Sequence, residues 1–380
     1  MPFCSISLVN FRNLCDSTID LLAKEVYFVG ENGQGKSNLL ESLYYASYGS
    51  SFRTRTDSEI VRKGQKAMSV RSLFREGDGS TAAPLSHSTF ISYDGQNKKI
   101  EKDGKFIHDR KELINTIPCV LYNHDDLDFA VGSPERRRFF VDQSLSMYDE
   151  LYIDVSRRYK RVLKSRNLCL KEKKLNLLDS YDIQLVQNGL EIQKKRKNAI
   201  FTFNQIFGKL YEDVSGIGGV TIQYVPSWKK TTDQQAEESI YGDRNIPSID
   251  EVLDGVRARR EAEFVMSTTL TGPHRDRITF VRNGEIFVPT ASTGQRRLIA
   301  LSLRTAQAVF YTQVTGKKPV LLMDDVMLEL DPDKRQKVTA LLPAYDQLFC
   351  TFLPGEPYER YRHETTKVFT IQNGNWTDSK

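Results

Sequence analysis

A chain of 380 residues, 39% hydrophobic and 27% charged, has apolar material for one large domain or two ordinary ones, which excludes a disordered chain. Its net charge of +5 suits a nucleic-acid partner without demonstrating one. No apolar run approaches the ~20 residues that span a bilayer, and the start "MPFCSISLVNFRN" lacks the layout of a signal peptide, so no membrane association is expected. Five scattered cysteines without metal-ligand spacing read as reduced thiols, and a cytoplasmic location is expected.

The first segment, "SISLVNFRNLCDSTIDL", alternates apolar and polar residues and predicts a strand, a turn and a second strand. "VYFVG" is a short, continuously apolar run of the kind buried on both faces of a sheet. It leads into "GENGQGKS" (30–37), after which Leu39, Leu40, Leu43, Tyr44 and Tyr45 recur at helical spacing, predicting a helix from near Lys36. Residues 51–118 read as strands and turns, with "YDGQ" and "KDGK" as hairpin signals and an exposed loop over 75–88. From about Ser133 to Phe207 helix formers dominate and Lys and Arg are dense. Residues 229–248 are polar enough for a surface segment; a helical stretch "IDEVLDGVRARREAEFVMS" follows, and 268–380 returns to strands and helices with a β-rich tail. The layout predicts an α/β domain built from residues 1–120 and 267–380, with an inserted helical lobe over 121–266.

"GENGQGKS" fits Gly-x-x-x-x-Gly-Lys-Ser between a strand and a helix, the order that a phosphate-cradling loop requires. Gly30, Gly33 and Gly35 let successive N–H groups point at phosphate oxygens, Lys36 is placed for the outer phosphates, and the Ser37 hydroxyl is placed as a Mg²⁺ ligand. Such a loop needs an acidic partner on a neighbouring strand. "VLLMDD" supplies Asp324 to hold Mg²⁺ and Asp325 to polarise an attacking water; the alternative is an Asp pair that caps the next turn. Upstream, Ser292, Thr293, Gly294 and Gln295 open a helical run with Leu298, Leu301, Ser302, Thr305 and Val309 on one face, a second helix N-terminus suited to phosphate. Two such helices meet one γ-phosphate more easily when two protomers face each other.

A phosphate loop near the start, a late Ser-x-Gly-Gln and an apolar strand ending in Asp-Asp before "ELD" resemble the ABC/SMC-type ATPase heads. "LVNFRNL", "GENGQGKSNLLESLYYASYGSSFRT", "GSPERRRFFVD", "TGPHRDRITF", "STGQRR" and "LLMDDVMLELD" are similar to the RecF family in particular, over nearly the whole chain. The resemblance implies an ABC-type head, with mixed sheets, a P-loop core and an inserted helical lobe. It implies ATP at Gly30, Glu31, Asn32, Gly33, Gln34, Gly35, Lys36 and Ser37, completed by Ser292, Gly294 and Gln295. It further implies Mg²⁺ at Ser37 and Asp324, catalysis by Asp325 with Lys36, and a dimer-interface loop at Glu329 and Asp331. In family terms the protein is a weak, DNA-dependent ATPase that forms an ATP-sandwiched homodimer on single-stranded or gapped DNA. It helps load recombinase during repair and SOS induction, with a RecR-type mediator as partner. "HDDL" (124–127) stands where the family tends to Pro-Glu-Asp-Leu, and Arg277 where a second Asp is common.

The run 156–174 carries Arg157, Arg158, Lys160, Arg161, Lys164, Arg166, Lys171, Lys173 and Lys174. Val155, Tyr159, Val162 and Leu163 are spaced to pack inward, so the charges form either a DNA-backbone surface or an ordinary solvated face. "EIQKKRKNAIFTF" (191–203) adds a second cluster, and Arg53, Arg55 and Arg136 to Arg138 lie near the motifs. Without a base-reading motif, binding governed by backbone and shape is expected. Other classes compete: a scaffold that ATP merely latches, a chromosome-structure ATPase, and a transporter. Sustained heptads and a Cys-x-x-Cys are absent, which disfavours the second, and the basic insertion disfavours the third. His124 is a poor metal ligand, and His274 reads as a positioned structural or DNA-proximal residue.

Overall fold

Four short segments, Glu25–Val29, Cys119–Tyr122, Val320–Met323 and Gln347–Phe352, are buried at every position. Strands covered on both faces belong to parallel sheets, and the computed structural model aligns these four in one. It describes residues 2–76, 85–114, 116–229, 246–326 and 332–379, which divide into two compact units, 1–126 with 303–380, and 127–302.

In the first unit the strand order is Asn375–Asp378, Lys367–Gln372, Glu25–Val29, Gln347–Phe352, Val320–Met323, Cys119–Tyr122. All neighbours run parallel except the outermost hairpin strand, Asn375–Asp378. The carboxyl ends of the parallel strands therefore share one edge, where open α/β sheets bind ligands. A second, antiparallel sheet has the order Ser17–Asp20, Phe3–Val9, Met68–Glu76, Leu85–Tyr93, Lys98–Lys102, Lys105–Phe106. Glu76 pairs with Leu85, so the ladder takes in both ends of the loop expected over 75–88.

The helix Lys36–Tyr48 lies between the sheets: Leu39, Leu40, Leu43 and Ala46 share one core with Ile6, Leu8 and Ile91 of the antiparallel sheet and Val26, Phe28, Leu322 and Phe349 of the parallel one. Gln347 stitches the layers. Its Oε1 accepts from Phe3 N–H at 2.8 Å, and its Nε2 donates to Leu21 O at 2.7 Å and Ala23 O at 2.9 Å.

The second unit is helical, with Leu127–Val131, Pro134–Ser146, Glu150–Glu172, the 38-residue Leu178–Ser215, Ile249–Arg257 and Arg260–Met266. A three-stranded antiparallel sheet accompanies them, in the order Glu285–Ile286, Arg277–Arg282, Val220–Val225. Helix starts follow local chemistry: Ser133 accepts from Arg136 N–H ahead of Pro134, Asp149 accepts from Tyr152 N–H, and Ser248 forms a reciprocal capping box with Glu251. The surface segment expected over 229–248 lies, for 230–245, outside the described residues. Among the described residues no helix is long and apolar enough to cross a membrane.

Two arginines of the basic clusters are not on the surface. Arg166 is 0% exposed and donates to Asp182 at 2.6 Å, Glu263 at 2.7 Å and Thr269 at 2.8 Å. Arg196 forks onto both oxygens of Asp142 and reaches Asp276, whose carboxylate also accepts from Tyr224 and Gln193. Buried charges are costly unless paired and hydrogen-bonded, and these are both. The solvent face of Glu150–Glu172 retains Lys160, Arg161, Lys164 and Lys171.

His274 belongs to this interior. Its Nε2 lies 3.1 Å from Thr269 O and its Nδ1 2.7 Å from the Tyr159 hydroxyl, contacts that a neutral ring satisfies by donating from Nε2 and accepting at Nδ1. Burial first, then the charges of Arg275, Arg138 and Arg166, lower its pKa from 6.5 to about 4. The unfolded chain therefore takes up this proton first. The stabilisation is complete above pH 6.5 and is lost as the pH falls towards 4. Between pH 7.5 and pH 5 the wild type is expected to lose about 1–2 kcal/mol more stability than His274→Asn, read from urea midpoints. Equal losses would remove His274 as the cause.

Candidate nucleotide-binding site

The strand Glu25–Val29 runs out at Gly30, and the helix Lys36–Tyr48 begins six residues later, with Gly35 in the left-handed region at φ 118°. Two glycines are required by space as well as conformation. A Cβ on Gly30 would lie 2.4 Å from Ile371 O, and one on Gly35 would lie 2.9 Å from Leu14 Cδ2. The loop is thus clamped on one side by the C-terminal hairpin and on the other by the Asn13–Leu14 turn.

Lys36 is 4% exposed, and its ammonium donates to Gly30 O at 2.7 Å and Glu31 O at 3.1 Å. Among the described residues no carboxylate pairs with it. A buried cation held only by neutral carbonyls is a site prepared for an anion, and the adjacent helix N-terminus adds its positive dipole end.

Ser37 Oγ donates to Asp324 Oδ1 at 2.7 Å, joining the loop to the end of the strand Val320–Met323. Burial, opposed by the Ser37 hydrogen bond and aided by the Asp325 charge, pushes the Asp324 carboxyl up to about 6. A hydroxyl beside a desolvated carboxylate is a hard oxygen donor set that fits Mg²⁺. Among the described residues no cluster of three or more His, Cys, Asp or Glu could hold a metal unaided. Asp325 follows with φ 53°, a left-handed backbone that costs a non-glycine residue about 1 kcal/mol.

Several supporting contacts were not read from the sequence, and Arg53 was read only as a cation near the motifs. Thr351, at the end of the neighbouring strand, donates to Asp325 Oδ1 at 2.7 Å and accepts from Asp325 N–H at 2.8 Å. Arg53 donates to Asn38 Oδ1 at 2.7 Å, Asn38 to Asn13 Oδ1 at 2.7 Å, and Asn13 to Gly33 O at 3.3 Å. Arg12 of "LVNFRNL" forks onto Glu41, which is 0% exposed inside the loop's helix. At the tail, Asn373 N–H donates to Gln34 Oε1 at 2.6 Å and Gly374 N–H to Gln34 O at 2.9 Å. The Asn-Gly pair in "IQNGNW" was a legible hairpin signal; its contact with the loop was not.

The late signature lies in the second unit. Ser292 Oγ accepts from Gln295 N–H at 3.2 Å and Gln295 Oε1 accepts from Ser292 N–H at 2.8 Å, a reciprocal capping box on the helix Thr293–Thr315. Ser292, Thr293 and Gly294 are exposed, and a Cβ on Gly294 would meet nothing within 4 Å. The one-sided apolar face expected for this helix is instead burial nearly all round, from Leu298 to Ala308. Its Arg304 donates to buried Asp126 at 2.7 Å, which gives the "HDDL" segment a structural role. Glu329 and Asp331 lie outside the described residues.

The sequence matches the family described as the RecF/RecN/SMC N terminal domain over residues 3–377. It is 46% identical over 370 residues to the DNA replication and repair protein RecF of Treponema pallidum (strain Nichols), covering 97% of this chain and 99% of the relative. The chain belongs to the RecF family. The RecF of Clostridium perfringens (strain SM101 / Type A) is 31% identical over 374 residues, covering 97% of this chain and 98% of the relative. Among solved structures, the recombination mediator protein RecF-ATP of the RecFOR pathway aligns with a TM-score of 0.86 at 27% identity, covering 100% of this chain and 97% of that one. An Smc head bound to the C-winged helix domain of ScpA aligns at 0.55 with 14% identity, covering 100% and 98%, a likeness of fold alone. The fold of this RecF-family chain is accordingly the ABC-type ATPase head: mixed α/β sheets on a P-loop core, with a helical lobe inserted.

Proposed function

We propose that this chain is an ATP-dependent DNA-binding protein of recombinational repair. ATP lies in the loop Gly30–Ser37, with Glu31, Asn32 and Gln34 contributing backbone and Lys36 facing the outer phosphates. The head is formed from both ends of the chain and the lobe from its middle. The observation that carries this reading is the buried Lys36 ammonium, bonded to the carbonyls of Gly30 and Glu31 and set beside Ser37 and Asp324. The RecF-ATP structure at 27% identity supports the choice of nucleotide.

Ser37 and Asp324 are the residues to hold Mg²⁺, which when bound supplies positive charge to the phosphates. Asp325 orients and polarises the water that attacks the γ-phosphate. Ser292, Gly294 and Gln295 of a second protomer complete the site, since their exposed helix start has room for a phosphate. Hydrolysis is slow, stimulated by DNA and secondary to assembly. The DNA is single-stranded or gapped and is held through its backbone, with Lys160, Arg161, Lys164 and Lys171 among the exposed cations of the lobe. A RecR-type mediator is the expected protein partner, the location is cytoplasmic, and recombinase loading and SOS induction are the outcome.

Sedimentation with and without ATP and Mg²⁺ tests the assembly. The wild type is expected to shift from monomer to dimer on adding ATP, and Ser292→Arg to remain monomeric while binding ATP about as tightly as wild type. A wild type that stays monomeric in every condition would remove the sandwich.

A further inference from the structure

We propose that Thr351 is a positioning residue for ATP hydrolysis, its hydroxyl tying the Asp325 carboxylate to the central sheet. The inference rests on Asp325 polarising the attacking water, as proposed above.

Asp325 begins the segment that leaves the strand Val320–Met323, and its φ of 53° departs from the geometry that most residues adopt. A short side chain at such a place has no intrinsic reason to point in one direction. Thr351 supplies one. It sits on Gln347–Phe352, which runs parallel beside Val320–Met323, and it is 3% exposed. One hydroxyl serves both ends of the same residue, accepting from Asp325 N–H at 2.8 Å and donating to Asp325 Oδ1 at 2.7 Å.

The hydroxyl has a single proton. Its other acceptors, Met323 O and Asp324 Oδ1, are both at 3.4 Å, so the proton goes to Asp325. The backbone bond holds the left-handed conformation and the side-chain bond holds the carboxylate rotamer. Together they tie the orientation of Asp325 to a buried strand.

In the reaction, water oxygen bonds to the γ-phosphorus and the bond from phosphorus to the bridging oxygen breaks, its electron pair leaving with ADP. A water proton passes towards Asp325 and ends on the released phosphate. The rate depends on where the carboxylate oxygens stand when that bond forms. Among the described residues Thr351 makes no hydrogen bond to the nucleotide loop or to Ser37 and reaches Asp324 Oδ1 only at 3.4 Å, against 2.7 Å to Asp325 Oδ1, so its hydroxyl acts on turnover more than on ATP affinity.

The test compares Thr351→Val, which keeps the shape and loses the hydroxyl, with Thr351→Ser, which keeps the hydroxyl. Steady-state ATP hydrolysis by the full chain with Mg²⁺ and gapped DNA is measured beside the Kd for a fluorescent ATP analogue and the melting temperature. Thr351→Val is expected to lose about tenfold or more in kcat, with Kd changed by less than about twofold, and Thr351→Ser to stay within about twofold of wild type. Thr351→Ala stands in if Val lowers the melting temperature, with the same expectation. The proposal is overturned if the hydroxyl-free variants hydrolyse ATP at the wild-type rate. It is also overturned if Ser falls as far as Val, or if kcat and affinity fall together. Asp325→Asn measured in parallel separates the two readings. If it is inactive while Thr351→Val is normal, only the role of Thr351 falls; if it hydrolyses ATP normally, both fall.

Discussion

Lys36→Met is expected to weaken ATP binding by about 100-fold or more, measured by calorimetry with Mg²⁺ present. Two effects make it the largest change available in this loop. The ammonium is the cation that the outer phosphates would meet, and its burial at 4% exposure removes the water that would otherwise screen it. Methionine preserves the length and most of the volume, so the loss is of charge rather than packing. The nucleotide-free variant should melt no lower than wild type, because burying a cation for which the described residues provide no carboxylate is itself unfavourable. What should vanish is the rise in melting temperature on adding ATP, which reports binding to the folded state. A variant that keeps that rise would show that the phosphates do not sit at Lys36.

Asp325→Asn is expected to behave differently. Hydrolysis should fall by about 100-fold or more, since an amide cannot accept the water proton. ATP binding should persist, because Lys36, Ser37 and the loop amides are untouched, and ATP-dependent dimerisation should persist with it. Sedimentation and a phosphate-release assay on the same preparation read both. Comparison of the two variants in a strain lacking the protein then separates a working ATPase from a latch. If Asp325→Asn restores repair fully while Lys36→Met does not, nucleotide-driven assembly suffices and hydrolysis only resets it. If both fail alike, turnover is part of the function.

The parts of the site that could be read in advance are those whose geometry is local. An apolar strand, a glycine loop and a helix within residues 25–48 lie next to one another in the chain, and their order alone sets where amides and Lys36 can stand. The Asp pair could be read for the same reason, since a four-residue buried strand delivers its next residue to the sheet's edge. The capping box of Ser292 and Gln295 is also a matter of three-residue spacing. The all-round burial of the helix that it starts was not evident, because Arg304 and Gln307 look like solvent positions until their partners are known.

Charge was the least legible property. Arg166 and Arg196 belong to runs that read as solvent or DNA faces, yet both are buried against carboxylates at least 16 residues away in the chain, such as Asp182 and Asp276. A helical pattern tells which residues share a face; it does not tell which acidic residue another helix brings to that face. Thr351 and Gly374 were invisible for the same reason, being 26 residues from Asp325 and 340 from Gln34. Short-range spacing therefore determined that this chain carries a phosphate loop, an acidic strand end and a late capped helix, because those features are held by bonds within a few residues. Only the tertiary structure decided which charges are spent inside, and which hydroxyl holds Asp325, because the pairing of strands and helices from opposite ends of the chain is what brings those groups within hydrogen-bond reach.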